Sequence, residues 1–93
     1  MIVAVMEVQF FAPWVHSLKE KRMTVKSLLA KTRGKFNVSA AETAEQDVHQ
    51  IIVLGFSAVA GTAAQADSIL DHVLNFLEAN TEAEITQVSR EIR

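Results

Sequence analysis

Two copies of the same helix-start signal constrain the fold of this chain more than any other feature. Ser17 is followed three residues later by Glu20, and Thr62 is followed at the same distance by Gln65. In each pair the first side chain can accept a hydrogen bond from the N–H three residues on, while the second reaches back. We therefore expect one helix to begin after Ser17 and another after Thr62.

The segments outside these helices are rich in β-branched and aromatic residues, as strands are. Asn80 is expected to end the second helix. The acidic segment 45–47 indicates a hairpin turn, and Gly55 suggests a bulge in the strand that contains it. The predicted strands cover residues 2–11, 37–44, about 48–60 and 84–92.

The predicted order is therefore strand, helix, strand, strand, helix, strand. This βαββαβ order is the split βαβ pattern of the ferredoxin-like fold, an α+β fold with two helices on one face of a four-stranded antiparallel sheet. With 93 residues, 49% of them hydrophobic, and only four Gly and Pro together, one compact domain spanning residues 1–93 is expected.

The strands contain apolar residues on both sides, although two helices cover only one face. On the first strand Val3, Val5 and Phe11 lie opposite the even-numbered apolar residues. On the third strand Ile51, Val53 and Val59 occupy the corresponding side. Because a second apolar face needs its own cover, we expect a homodimer that forms through the sheet.

Residue types exclude several kinds of chemistry. The chain has no cysteine, which removes disulfides, thiolate nucleophiles and cysteine-bound metals. His16, His49 and His72 show no spacing typical of a metal site, and no glycine-rich phosphate loop is present. Neither a metal, a cofactor nor an enzymatic activity is therefore expected.

The N-terminal residues enter a strand pattern at once, with no basic segment or cleavage site before it. No apolar stretch approaches the length that spans a membrane. We expect a cytoplasmic protein that has no membrane partner.

Several short segments together have a recognisable pattern. The segments are Ser17–Arg22 (SLKEKR), Lys35–Glu42 (KFNVSAAE), Leu54–Val59 (LGFSAV) and Arg90–Ile92 (REI). In this combination the chain resembles the YlxP-like family of short bacterial proteins, whose function is unknown. The resemblance implies a ferredoxin-like fold. Family members are often encoded near translation initiation factor two and ribosome-binding factor A, which implies work on the ribosome or on RNA.

Positive charge is concentrated in the first predicted helix. Residues 17–36 contain seven basic residues and one acid, a net charge of +6, while the rest of the chain has two basic residues and ten acids, a net charge of −8. A helical wheel places Lys19, Arg22, Lys26 and Arg33 on one side, with Lys21, Lys31 and Lys35 towards the other. The first four are the candidate nucleic-acid-binding residues, with RNA or a ribosomal partner expected and no DNA specificity.

An interpretation of the same charges that involves no ligand stays open. Long basic side chains often border an apolar helix face and extend into solvent, and acids of a partner chain could neutralise them. Two further functions also remain open: a small-ligand regulatory module with an ACT-like arrangement, and a structural subunit that binds another protein through its sheet.

Two aromatic residues deserve separate interpretations. Phe56 follows Gly55, as in RNA-recognition motifs, but the second stacking aromatic is replaced by Ala58, so core or dimer packing is the favoured role for Phe56. Trp14 precedes the first helix and either anchors an interface or covers the end of the core.

Overall fold

A computed structural model describes residues 1–93 as six regular elements. They are β1 (Ile2–Phe11), α1 (Leu18–Lys35), β2 (Ser39–Ala44), β3 (Ile51–Ala60), α2 (Ala63–Asn80) and β4 (Glu84–Ile92). The strands form one antiparallel sheet in the order β2-β3-β1-β4, and both helices pack on the same face of it. The predicted βαββαβ ferredoxin-like fold is therefore confirmed.

Both helices begin where the paired signals place them. The Ser17 hydroxyl accepts a hydrogen bond from the Glu20 N–H at 3.1 Å, and the Thr62 hydroxyl accepts one from the Gln65 N–H at the same distance. In a capping box the second side chain would accept from the N–H of the capping residue itself. Here the Glu20 carboxylate instead accepts from the N–H of His16, the residue before Ser17. Local side-chain chemistry thus fixes both helix starts.

The core lies between the helices and the face of the sheet that they cover. The even-numbered residues of β1 and β3 supply one layer, and the inward side of each helix supplies the other. Its large buried members include Met6, Phe10, Ile52, Leu54, Phe56, Leu28, Leu70, Val73 and Leu77. Neither helix is long and apolar enough to cross a membrane.

Phe76 follows the buried Val73 by three residues, a spacing that places it on the same side of α2, but it is only half-buried. Its ring meets that of Phe36 edge-on, with 5.5 Å between the centroids and an interplanar angle of 81°. This aromatic pair lies outside the fully buried cluster, at the rim of the core where α1 ends. The contribution of Phe76 to core packing is therefore smaller than its position on the helical wheel indicates.

The loop between β2 and β3 is longer than the sequence predicts. β2 starts at Ser39, and β3 starts at Ile51 rather than near residue 48. Within this loop the carbonyls of Glu45 and Val48 accept hydrogen bonds from the Lys21 side chain, and the Glu45 carbonyl also accepts one from the Val48 N–H at 3.1 Å. Glu45 also adopts a positive φ of 55°, in the left-handed region.

Gly55 is opposite Ala41 in the sheet and does not itself form the expected bulge, which falls in β2 between Glu42 and Ala44. A Cβ atom on Gly55 would lie 2.5 Å from the Thr43 Cγ2 atom. Thr43 crosses over this glycine and donates a hydrogen bond to the Glu7 carboxylate at 2.8 Å. The glycine therefore provides the room for a side-chain contact across the sheet.

The open face of the sheet is apolar at its ends and polar in the middle. Val3 is paired with Val59 at one end, and Phe11 with Ile51 at the other. The residue pair midway between them is Glu7 with Gly55. The apolar character expected for this second face is thus confined to two separate patches.

Candidate nucleic-acid interface

The four basic residues singled out from the sequence are all exposed on α1. Lys19, Arg22 and Lys26 make no ion pair and no hydrogen bond within the chain. Arg33 donates one hydrogen bond, at 3.2 Å, to the backbone carbonyl of Ala40 in the edge strand β2. We call these four residues the basic stripe; it follows the flank of α1 that faces β2.

Lys21 was predicted to lie on the same flank of the first helix as Lys31 and Lys35, but it points into the protein. It is 1% exposed, and its Nζ atom lies 3.2 Å from a carboxylate oxygen of Glu42. The same Nζ donates to the carbonyls of Glu45 and Val48, the latter at 2.6 Å. Lys21 is therefore a buried anchor for the β2–β3 loop and is not available to a ligand.

The sequence contained a signal for this burial. Lys21 precedes Val25 by four residues, and Leu28 and Thr32 continue the same helical spacing. All four residues are buried in the structure. The residue type, which is rarely buried unless it is paired, concealed the meaning of that spacing.

Lys31 and Lys35 occupy the other flank of α1. Lys35 places its Nζ atom 5.7 Å from the centre of the Phe76 ring, a cation–π distance. Lys31 makes no ion pair and lines a groove between α1 and the end of α2. These two lysines are thus separated from the basic stripe by the solvent-facing top of the helix.

The second helix has the opposite charge. α2 contains three acids and neither lysine nor arginine. Two of the acids form ion pairs with Arg90 of β4. The Arg90 guanidinium nitrogens lie 3.4 Å from a carboxylate oxygen of Asp67 and 2.5 Å from one of Asp71. No acid of α2 pairs with the basic stripe, so the molecule keeps separate positive and negative regions.

The groove on the Lys31 side has a volume of about 390 Å³. Trp14, which is 39% exposed, forms one part of it. The remaining lining combines two apolar side chains, three hydroxyls, an amide and a carboxylate: Met23, Leu28, Thr24, Ser27, Thr81, Asn80 and Glu82. We call this cavity the Trp14 groove.

A second groove, of about 460 Å³, runs across the polar middle of the open sheet face. It contains the Glu7 carboxylate that Thr43 holds, with Ser57, Ser89 and Arg93 nearby. Gly55 is part of its lining.

The three histidines lie outside the basic stripe and outside both grooves. His16 and His49 line a shallow hollow with Asp47, and His72 contacts the Ser68 carbonyl within its own helix. No three His, Asp or Glu side chains come together in a way that could hold a metal ion.

Phe56 points to the covered face, where it is 3% exposed. Its ring is part of the core, which confirms the packing role predicted for it. A base could not stack on Phe56 without opening the core, so the exposed basic stripe is the better candidate for contact with nucleic acid.

Comparison with known proteins assigns the chain to a family. Residues 3–90 match the family model described as "Protein of unknown function (DUF503)". The chain belongs to the DUF503 family. A curated relative, the uncharacterized protein YlxP of Bacillus subtilis (strain 168), is 40% identical over 70 residues, which cover 75% of this chain and 76% of the relative. The predicted family resemblance is thus confirmed.

A solved structure supports the architecture. The chain is similar to a de novo designed protein with ferredoxin fold, determined by solution NMR, with a TM-score of 0.64 at 16% sequence identity. The similarity covers 100% of this chain and 86% of the designed protein. At this identity the likeness concerns the fold alone.

Proposed function

We propose that this DUF503 protein is a non-enzymatic, RNA-associated factor that contacts phosphates through the basic stripe of α1. The observation that supports the proposal is the absence of any acidic partner for Lys19, Arg22, Lys26 and Arg33. Four exposed cations on one helix flank repel one another, and an anionic backbone is a partner that relieves this repulsion.

The dimensions of the basic stripe suit an extended polyanion. Lys19 and Arg33 are fourteen residues apart, which corresponds to about 21 Å along a helix axis. Arg33 is tethered to the edge of the sheet by its bond to Ala40, so one end of the basic stripe is held in place. The basic stripe can therefore follow several consecutive phosphates without a large loss of side-chain freedom.

The genomic neighbourhood that the family resemblance implies, beside genes for translation factors, favours RNA or a ribosomal partner over other anions. The side chains of the basic stripe read charge and not base identity, so no DNA or RNA sequence specificity is assigned to it.

Binding of a labelled single-stranded RNA, measured by fluorescence anisotropy over a series of salt concentrations, tests this proposal. Each neutralised phosphate of single-stranded RNA contributes about −0.7 to the slope of log K against log salt. Replacing Arg22 and Lys26 together by Gln should weaken binding and flatten the slope by roughly 1–2 units.

Two control variants make the test specific. Arg93→Gln removes an exposed cation away from the basic stripe and should leave the slope nearly unchanged. Phe56→Leu keeps apolar bulk in the core, and a loss of binding confined to this variant would contradict the helix model. If the unaltered protein binds neither RNA nor ribosomes at low salt, the proposal fails.

We also propose that two copies associate through their open sheet faces. The support is the exposed apolar area at the ends of this face, where Val59 is 62% exposed and Val3, Phe11 and Ile51 are half-buried. A second copy is an occupant that would cover both patches in one symmetric contact.

A further inference from the structure

We infer that the Trp14 groove holds an unpaired base of single-stranded RNA, stacked on the Trp14 indole, while the backbone of the same strand lies on the basic stripe. This inference rests on the proposed function, since it names the form of RNA and a second contact for it. Aromatic side chains beside a positively charged surface are the usual means by which proteins hold unpaired bases.

The indole is held in a fixed loop. The residues on either side of Pro13 and Trp14, Ala12 and Val15, are fully buried, and the Val15 N–H donates to the Ala12 carbonyl at 3.1 Å. The Gln50 side chain donates to the Pro13 carbonyl at 3.0 Å. Because both ends of the loop are anchored, a base that stacks on Trp14 meets a surface already in place, which lowers the entropic cost of binding.

The rest of the groove offers polar groups suited to the edges of a base. Ser27 has no hydrogen-bond partner within the chain, and Asn80 donates to the Phe76 carbonyl, which leaves its amide oxygen free to accept. The Glu82 carboxylate, also without an ion-pair partner, can accept from base N–H groups.

Positive charge in the groove also favours the binding of an RNA strand there. Lys31 lines it and has no acidic partner, so a phosphate next to the stacked base has a cation within the same cavity. Only the top of α1 separates Lys31 from the basic stripe, and a helix with its side chains is about 10–12 Å across. Met23, which is largely exposed, lies on the path between them. One short RNA strand can therefore cross α1 and contact both the basic stripe and the Trp14 groove.

Trp14 is the only tryptophan of the chain, so its emission reports on the groove without labelling. We expect an unlabelled single-stranded RNA to quench this emission. The quenching should saturate at the same RNA concentration as the fluorescence anisotropy measured with a labelled RNA of the same sequence. An oligomer of the same length without bases should bind through its phosphates but leave the emission unchanged.

Substitutions separate stacking from mere coverage of the core. Trp14→Ala should weaken RNA binding roughly 5- to 150-fold, the range that corresponds to the loss of one stacked base. Trp14→Phe retains an aromatic face and should keep most of the affinity. Lys31→Gln should flatten the salt slope by about 0.7. Circular dichroism of each variant confirms that the fold is kept.

The outcomes distinguish this inference from the proposed function. RNA that binds by anisotropy without quenching Trp14, and with equal affinity for Trp14→Ala, would overturn the groove site and leave the role of the basic stripe standing. Equal quenching by RNA and by the oligomer without bases would also overturn base stacking. Absence of any RNA binding at low salt would overturn both.

Discussion

The two faces of the sheet come from the same four strands but treat their side chains in opposite ways. On the covered face Met6, Leu54 and Phe56 are at most 3% exposed, and the one carboxylate of β2 there, Glu42, is neutralised by Lys21. On the open face the mid-strand carboxylate of Glu7 is exposed and has a single hydroxyl partner.

The difference shows that apolar content alone does not make a face into a core. Both faces carry Val, Ile and Phe, yet only on the covered face do they join the single core cluster; Val53 on the open face is buried but lies outside it. On the open face Glu7 and Gly55 separate the two apolar ends. The covered face therefore supplies the core, while the open face keeps exposed apolar side chains such as Val59 at its ends.

Truncation of a core residue should have the largest effect on stability. Leu28→Ala and Leu70→Ala, both on the covered side, should each lower the free energy of unfolding by about 2–5 kcal/mol. Phe76→Ala should cost less, because the ring is half-buried. Val59→Ala on the open face should change it by no more than about 0.5 kcal/mol. Chemical denaturation measures all four, and equal losses at Leu70 and Val59 would show that the two faces of the sheet contribute equally to stability.

The ion pair of the covered face can be tested on its own. Lys21→Met should lower the free energy of unfolding by about 3 kcal/mol, because it leaves the Glu42 carboxylate without its cation and the Val48 carbonyl without its donor. Adding Glu42→Gln removes the unpaired charge and should restore part of the loss. A Lys21→Met variant as stable as the parent protein would show that the anchor is dispensable.

On the open face, the contact across Gly55 predicts a smaller effect with a specific suppressor. Gly55→Ala should cost about 1–3 kcal/mol, because the new Cβ atom meets the Thr43 methyl group. Thr43→Ser removes that methyl group and keeps the hydroxyl that reaches Glu7, so it should recover most of the loss. Thermal unfolding of the single and double variants measures this, and no recovery in the double variant would contradict the proposed clash.

Self-association through the open face can be disrupted without unfolding the subunit, because Val59 on this face is 62% exposed. A stable dimer should bury on the order of 1,200–2,000 Å² in total. Sedimentation should show a dimer at tens of micromolar protein, and Val59→Lys should shift it towards monomer. A monomer at that concentration in the unaltered protein would count against the interface and leave the open face a solvated surface.

Local patterns in the sequence were sufficient to predict the order of the elements. The starts of both helices depend on residues three apart, Ser17 with Glu20 and Thr62 with Gln65, which the sequence shows directly. The layout of the open face required strand register, because only pairing between β1 and β3 places Glu7 beside Gly55. Register is a property of distant segments, so the two-sided apolar pattern suggested a more uniform face than the one that forms.

The candidate surfaces also differ in whether neighbouring or distant residues of the chain form them. Helical spacing was enough to predict that the basic stripe lies on one side of α1. The Trp14 groove could not be predicted, since Asn80 and Glu82 are more than sixty residues from Trp14 in the chain. Lys21 lies between these cases: its spacing indicated the inward side of the helix, but its loop and carboxylate partners come from another element.

The Lys21 contact also bears on how the β2–β3 hairpin can form. Adjacent antiparallel strands usually close through their own turn, a local event on a microsecond scale. Here the turn that contains Glu45, with its left-handed backbone, is held by a side chain 24 residues earlier. The turn has its own hydrogen bond, from the Val48 N–H to the Glu45 carbonyl at 3.1 Å, but its full set of contacts forms only when α1 docks. A peptide that spans only β2 and β3 should fray at this loop, and amide exchange in the loop should follow the docking of α1.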